Sequence, residues 1–173
     1  MDDARPALVI GYGNTLRTDD AFGPRAAAVV QSWELPGVAA LAVTQLAPEL
    51  AERLSAVRLA IFVDARIPPN EGPSGVEVRP LELSSIASAF GHVSEPGRLL
   101  ALAQAVYGSC PRAWLVTAPA ADLGLGDGLT PQAACSLEVA LRRIADLLGL
   151  DGGPDAEAAC AEGGRICGGE PHE

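Results

Sequence analysis

The sequence predicts an α/β protein built on a single doubly wound, mostly parallel twisted sheet with helices on both faces. Three observations predict it. Ala7–Ile10, Leu59–Val63 and Ala113–Thr117 are short, continuous apolar runs, the pattern of strands buried on both faces. Helical segments stand between the strand signals, and alternation at this spacing builds parallel crossover units. The first run also ends in two glycines, Gly11 and Gly13, followed by a polar turn with adjacent carboxylates. A loop leaving the carboxyl end of a parallel strand is where open sheets place their ligands.

The first helix is expected over Gly23–Trp33, with Pro24 acceptable in its first turn. Asp19 and Asp20 precede it, where acidic groups suit the positive end of the helix dipole. Gly37–Val43 reads as a second short strand. Pro48–Val57 reads as an amphipathic helix, Leu50 and Leu54 on one face and Glu49, Glu52 and Arg53 on the other. Leu59–Val63 is the strongest strand signal and stops at Asp64. A loop covers 66–74, Val76–Val78 alternates as an edge strand, and 82–92 is ambiguous, ending in Gly91-His92. Pro96–Val106 is a helix with Leu99, Leu100, Leu102 and Ala103 inward. After Thr117 comes a long loop rich in Gly and Asp, and a helix over Thr130–Leu148 closes the fold, capped by Thr130 with Pro131 in its first turn.

Composition narrows the partners. With 173 residues and 49% apolar content, one ordinary domain with a real core is expected, assigned to 1–149. Residues 150–173 are Gly-, Ala- and Glu-rich without apolar periodicity and read as a flexible tail. Its Cys160, Cys167 and His172 match no standard zinc spacing, so a solvated tail is the reading taken. The net charge is −10, with no Lys and no basic run, which argues against nucleic acid and anionic membranes. The start, Met-Asp-Asp-Ala-Arg, has neither part of a signal peptide, and no apolar run approaches the ~20 residues of a membrane span. A cytoplasmic protein is expected, with Cys110, Cys135, Cys160 and Cys167 as thiols.

Two familiar chemistries fit poorly. A dinucleotide fingerprint needs a glycine where Leu16 stands, and Asp19 and Asp20 would repel a phosphate at the helix start. No Gly-x-Ser-x-Gly occurs, and outside the tail no cysteine has a histidine near it in sequence and the sole imidazole is His92. A carboxylate–imidazole cluster fits better. Asp20 follows the first strand, Asp64 ends the third, and His92 lies before the next helix, all where crossings return to one sheet edge. Such a set either binds a divalent ion with positions left open or polarises a water for hydrolysis. Asp19 is expected to cap the helix or face solvent.

The residues carrying these features resemble a known family. Gly11-Tyr12-Gly13-Asn14-Thr15-Leu16-Arg17-Thr18-Asp19-Asp20-Ala21-Phe22-Gly23 resembles the opening signature of the nickel–iron hydrogenase maturation endopeptidases, many of which have glycine where Ala21 stands. Phe62-Val63-Asp64-Ala65 resembles the second motif, and His92 followed by Pro96 and Leu99-Leu100 the third. Gln45-Leu46, Pro48-Glu49-Leu50 and Gly126–Pro131 resemble landmarks of one branch, so the likeness spans about residues 7–148. The resemblance implies a single-domain α/β peptidase that removes a short C-terminal peptide from the hydrogenase large-subunit precursor after nickel insertion. It implies Asp20, Asp64 and His92 as contacts to nickel held by the substrate, with no tightly bound cofactor of the protein's own.

A monomer suits a protein that docks to a larger partner. Gly11, Gly13 and Asn14 are then expected to shape the turn and admit a partner's backbone, and the loops at 66–74 and 119–129 to select the precursor. Two other readings stay open. A non-catalytic nickel-checking assembly factor would leave its partner's mass unchanged, and a nucleotide-binding α/β protein would be stabilised by a nucleotide.

Overall fold

The computed structural model describes residues 6–67, 75–81 and 95–150. Its elements are β1 (Ala7–Tyr12), a 3-10 turn (Thr18–Ala21), α1 (Phe22–Ser32), β2 (Val38–Val43), α2 (Leu50–Ser55), β3 (Leu59–Arg66), β4 (Glu77–Leu81), α3 (Glu95–Tyr107), β5 (Arg112–Pro119) and α4 (Pro131–Leu148). The strands form one sheet in the order β2-β1-β3-β5-β4. All pairings are parallel except β4 against β5. The fold class expected from the sequence is the one found.

Period-two alternation explains why the strand signals are continuous. Ala7, Val9, Leu59, Ile61, Val63 and Val116 pack on one face with Phe22, Ala26 and Val30 of α1 and Ala140, Leu141 and Ile144 of α4. Leu8, Ile10, Ala60, Phe62, Ala113 and Leu115 pack on the other with Ala51 and Leu54 of α2 and Leu99, Leu100 and Ala103 of α3. Residues of β1 and β3 thus meet a helix whichever way they point, and no polar position occurs in β1 before Tyr12 or in β3 before Asp64. Phe62 has no accessible surface. Truncating such a buried aromatic costs about 3–5 kcal/mol.

Several boundaries differ from expectation, two of them through strand pairing. β3 does not stop at Asp64: Asp64, Ala65 and Arg66 continue the ladder opposite Thr117, Ala118 and Pro119 of β5. Asp64 is therefore inside the last turn of pleat rather than beyond the strand. The edge strand begins at Glu77 and extends to Leu81, because Arg79, Pro80 and Leu81 pair with Leu115, Trp114 and Ala113. The second helix is shorter than its pattern, six residues from Leu50 to Ser55. The last helix begins as expected: the Thr130 hydroxyl accepts from the Ala133 amide at 3.3 Å, Pro131 follows, and Gly149 closes it with a left-handed φ of 77°. The proposed tail from 151 onward lies outside the described residues. Among the described residues, no helix is long and apolar enough to cross a membrane.

The chain order decides where a ligand goes. From β1 it winds to β2 on one side, then returns past β1 to β3 on the other. The direction of winding reverses between β1 and β3, and the carboxyl ends of such a pair open into a crevice.

Candidate active site

The crevice floor is set by close packing at the start of α1. A Cβ on Gly11 would overlap the carbonyl oxygen of Gly23, and one on Gly23 would overlap backbone atoms of Val63 and Tyr12. The helix start is thereby wedged onto the ends of β1 and β3. Gly13 has a φ of 142°, and a side chain there would run into the Asp20 carbonyl. The backbone these glycines admit in this structure is the chain's own. Asn14 shapes the turn as expected: its side-chain oxygen accepts from the Leu16 amide at 2.9 Å, and its carbonyl accepts from Arg17 at 3.0 Å.

The two adjacent aspartates of this turn go to opposite places. Asp20 is half-buried and near enough to Asp64 for its charge to act there; its Oδ2 accepts from the Asn14 amide at 2.9 Å. Among the described residues no hydrogen bond reaches its Oδ1. Asp19 is fully buried, 0% exposed. It caps no helix and does not face solvent, so both expectations for it are overturned. Its Oδ2 accepts from the amides of Ala121 (2.8 Å) and Asp122 (3.0 Å) and from the Thr130 hydroxyl (2.9 Å), and its Oδ1 from the Thr130 amide (2.8 Å). Burial alone would raise the Asp19 carboxyl; these donors outweigh it and hold the group below the usual carboxylate range. The pattern Asp-Asp before a helix carried no sign of this, because every donor comes from the other end of the chain.

The same seam continues on both sides of Asp19. Arg17 donates through Nε to the Leu123 carbonyl at 3.0 Å, Thr18 through its hydroxyl to that of Gly124 at 3.0 Å, and Gly126 N–H to that of Leu16 at 3.1 Å. A shallow groove of about 700 Å³ opens beside the seam, lined by Thr15, Leu16, Pro24, Arg25, Ala28, Ala42, Gly126 and Asp127. Neither Asp20 nor Asp64 lines it, so this groove and the carboxylate crevice are separate features.

Asp64 projects at the carboxyl end of β3. Burial is the main cause that lifts its carboxyl to about 6, and the charges of Asp20 and Glu95 add to it. The Tyr12 hydroxyl, its hydrogen-bonding neighbour, and the Ala65 amide pull the other way. Tyr12 is in turn pushed up, first by burial and then by the Asp64 charge. Asp20 lies close enough to Asp64 for its charge to disfavour ionisation of Asp64. His92 lies outside the described residues, as do 68–74 of the loop read as selective. Among the described residues, no three His, Cys, Asp or Glu side chains group as a metal site.

Fold and site together define a doubly wound α/β protein with a carboxylate pair at its switch point. No family model matches the chain, and no curated protein matches it by sequence. Solved structures do. The hydrogenase maturating endopeptidase HybD from E. coli superposes with a TM-score of 0.69 and 23% identity, over 85% of this chain and 94% of that one. The hydrogenase 2 maturation peptidase from Thaumarchaeota archaeon SCGC_AB-539-E09 gives 0.65 and 25%, over 85% and 100%. The [NiFe] hydrogenase maturation protease HycI from Thermococcus kodakarensis KOD1 gives 0.64 and 21%, over 85% and 95%. The chain has the fold of the hydrogenase maturation endopeptidases, the family its motifs resemble. These neighbours are peptidases by name, the same enzyme class that the motifs imply.

Proposed function

We propose that this chain is an endopeptidase that removes the C-terminal extension of a nickel–iron hydrogenase large-subunit precursor after nickel insertion. The observation that carries the reading is the pairing of Asp20 and Asp64 at the β1/β3 switch point, with the Asp64 carboxyl raised to about 6. A carboxylate with that proton affinity is a better base near neutral pH than an ordinary one. Either Asp20 or Asp64 accepts a proton from water as its oxygen attacks the scissile carbonyl, and the proton passes to the departing amine. Nickel belongs to the substrate. Asp20 and Asp64, with His92, offer it oxygen and nitrogen donors without saturating it, which suits a protein that checks a partner's metal and then releases it. The names of the structural neighbours support a precursor of this kind as the partner.

The reading is tested by incubating the purified protein with nickel-loaded and nickel-free precursor and measuring the precursor's mass. Shortening of the loaded form alone is the expected result. A loaded precursor that keeps its full mass overturns the proposal.

A further inference from the structure

Asp19 is the one charged residue fully buried among the described residues, and all its side-chain partners lie on 121–130. Its backbone joins the same segment, donating to the Asp122 carbonyl at 3.0 Å. With Arg17 on Leu123 and Thr18 on Gly124, three consecutive residues before Asp20 are tied to one distant loop. Among the described residues, the hydrogen bonds of Asp20 stay within its turn, its amide donating to the Arg17 carbonyl at 2.7 Å and its Oδ2 accepting from Asn14. Two supports therefore fix Asp20 relative to Asp64. One is the glycine wedge against β3; the other is the loop, reached through Asp19.

We propose that Asp19 is a positioning residue that acts through Asp20, its carboxylate using the 121–130 loop to set where Asp20 sits in the crevice. This rests on the reading of Asp20 as a reacting group. The carboxylate is chemically required. All four of its partners are donors, three on one oxygen and one on the other, so an acceptor is needed on both sides. Asparagine would turn an N–H toward the Thr130 amide or toward the three donors at Oδ2, and one bond at least becomes a donor facing a donor. A misplacement of the order of 1 Å at a reacting group is enough to cost about 100-fold in rate.

The test compares the full-length protein with Asp19→Asn and with Thr130→Val, which removes one donor and leaves the carboxylate. Amide hydrogen exchange is followed over 13–20 and 121–130, and kcat and KM are measured on nickel-loaded precursor. For Asp19→Asn, exchange is expected to quicken in both segments together, with kcat down about tenfold or more and KM within about threefold. Thr130→Val moves in the same direction by less. Quickening confined to 121–130, or an unchanged kcat once 121–130 has loosened, overturns the proposal and leaves Asp19 a loop anchor alone. Should Asp19→Asn fail to fold, Thr130→Val decides by the same criteria. A wild-type protein that leaves the precursor uncut refutes the proposed function instead, and the exchange comparison still decides whether the two segments are coupled.

Discussion

Two carboxylate regions lie side by side at the carboxyl edge of this sheet, and burial alone would order them wrongly. Asp19 is the more deeply buried yet held below the usual carboxylate range; Asp64 keeps some exposure yet is lifted to about 6. The difference is the company each keeps. Four donors converge on Asp19, whereas Asp64 has the Tyr12 hydroxyl and the Ala65 amide set against burial and the charges of Asp20 and Glu95. A fully satisfied buried charge is a fastener; an under-satisfied one beside a like charge is poised to take a proton. Asp19, on the turn after β1, and Asp64, near the end of β3, thus carry opposite shifts at one edge of the sheet.

The contrast is attacked most directly at Asp20. Asp20→Asn keeps a side chain able to accept from Asn14 but removes the charge, so precursor shortening should fall by about 1000-fold or more while the melting temperature stays within a few degrees. Processing at the normal rate by this variant would remove Asp20 from the reactive side of the comparison. The next effect is in pH. If Asp64 must be ionised to act, the rate should be flat above its value of about 6 and fall about tenfold per pH unit below it. A profile that breaks instead near 4, the ordinary carboxylate value, would assign the base to another group.

The stability of the two asparagine variants should move in opposite directions. For Asp19 the native value is depressed, so its contribution is complete above the unfolded-state value and vanishes as pH falls through the native one. Asp19→Asn should lose about 2–3 kcal/mol at pH 7 in urea titrations, and less in strong acid. For Asp64 the native value is raised, so its ionised form costs stability above about pH 6 and costs none below about 4. Asp64→Asn should therefore gain about 1–3 kcal/mol at pH 8, the gain closing as pH falls toward 4. Equal signs for the two variants would dissolve the distinction between fastener and poised group. The smallest effect is that of Thr130→Val, which removes one of the four donors and the cap on the Ala133 amide together, about 1–2 kcal/mol by the same titration.

Much of the sheet was legible because parallel strands buried on both faces leave an unbroken apolar signature, and Thr130-Pro131 announces a helix start from its own side chains. The Asp64 position was legible for a related reason, since it stands where such a run ends, and Asp20 because it closes the polar turn that follows the first run. What was not legible was the division of labour between Asp19 and Asp20. The two letters are identical and adjacent, and the donors that separate them lie more than a hundred positions away on the 121–130 loop. The reach of β3 past Asp64 was hidden likewise, since it depends on Thr117, Ala118 and Pro119 running alongside.

The sequence by itself determined the winding of the sheet, the glycine turn after β1 and the carboxylates at its edge, because these follow from local hydrophobic pattern and chain order. Only the tertiary structure decided which aspartate is bonded to the 121–130 loop and which one lies beside Asp64. That choice is electrostatic, made by the number of donors each carboxylate collects from distant backbone, and no local pattern records it.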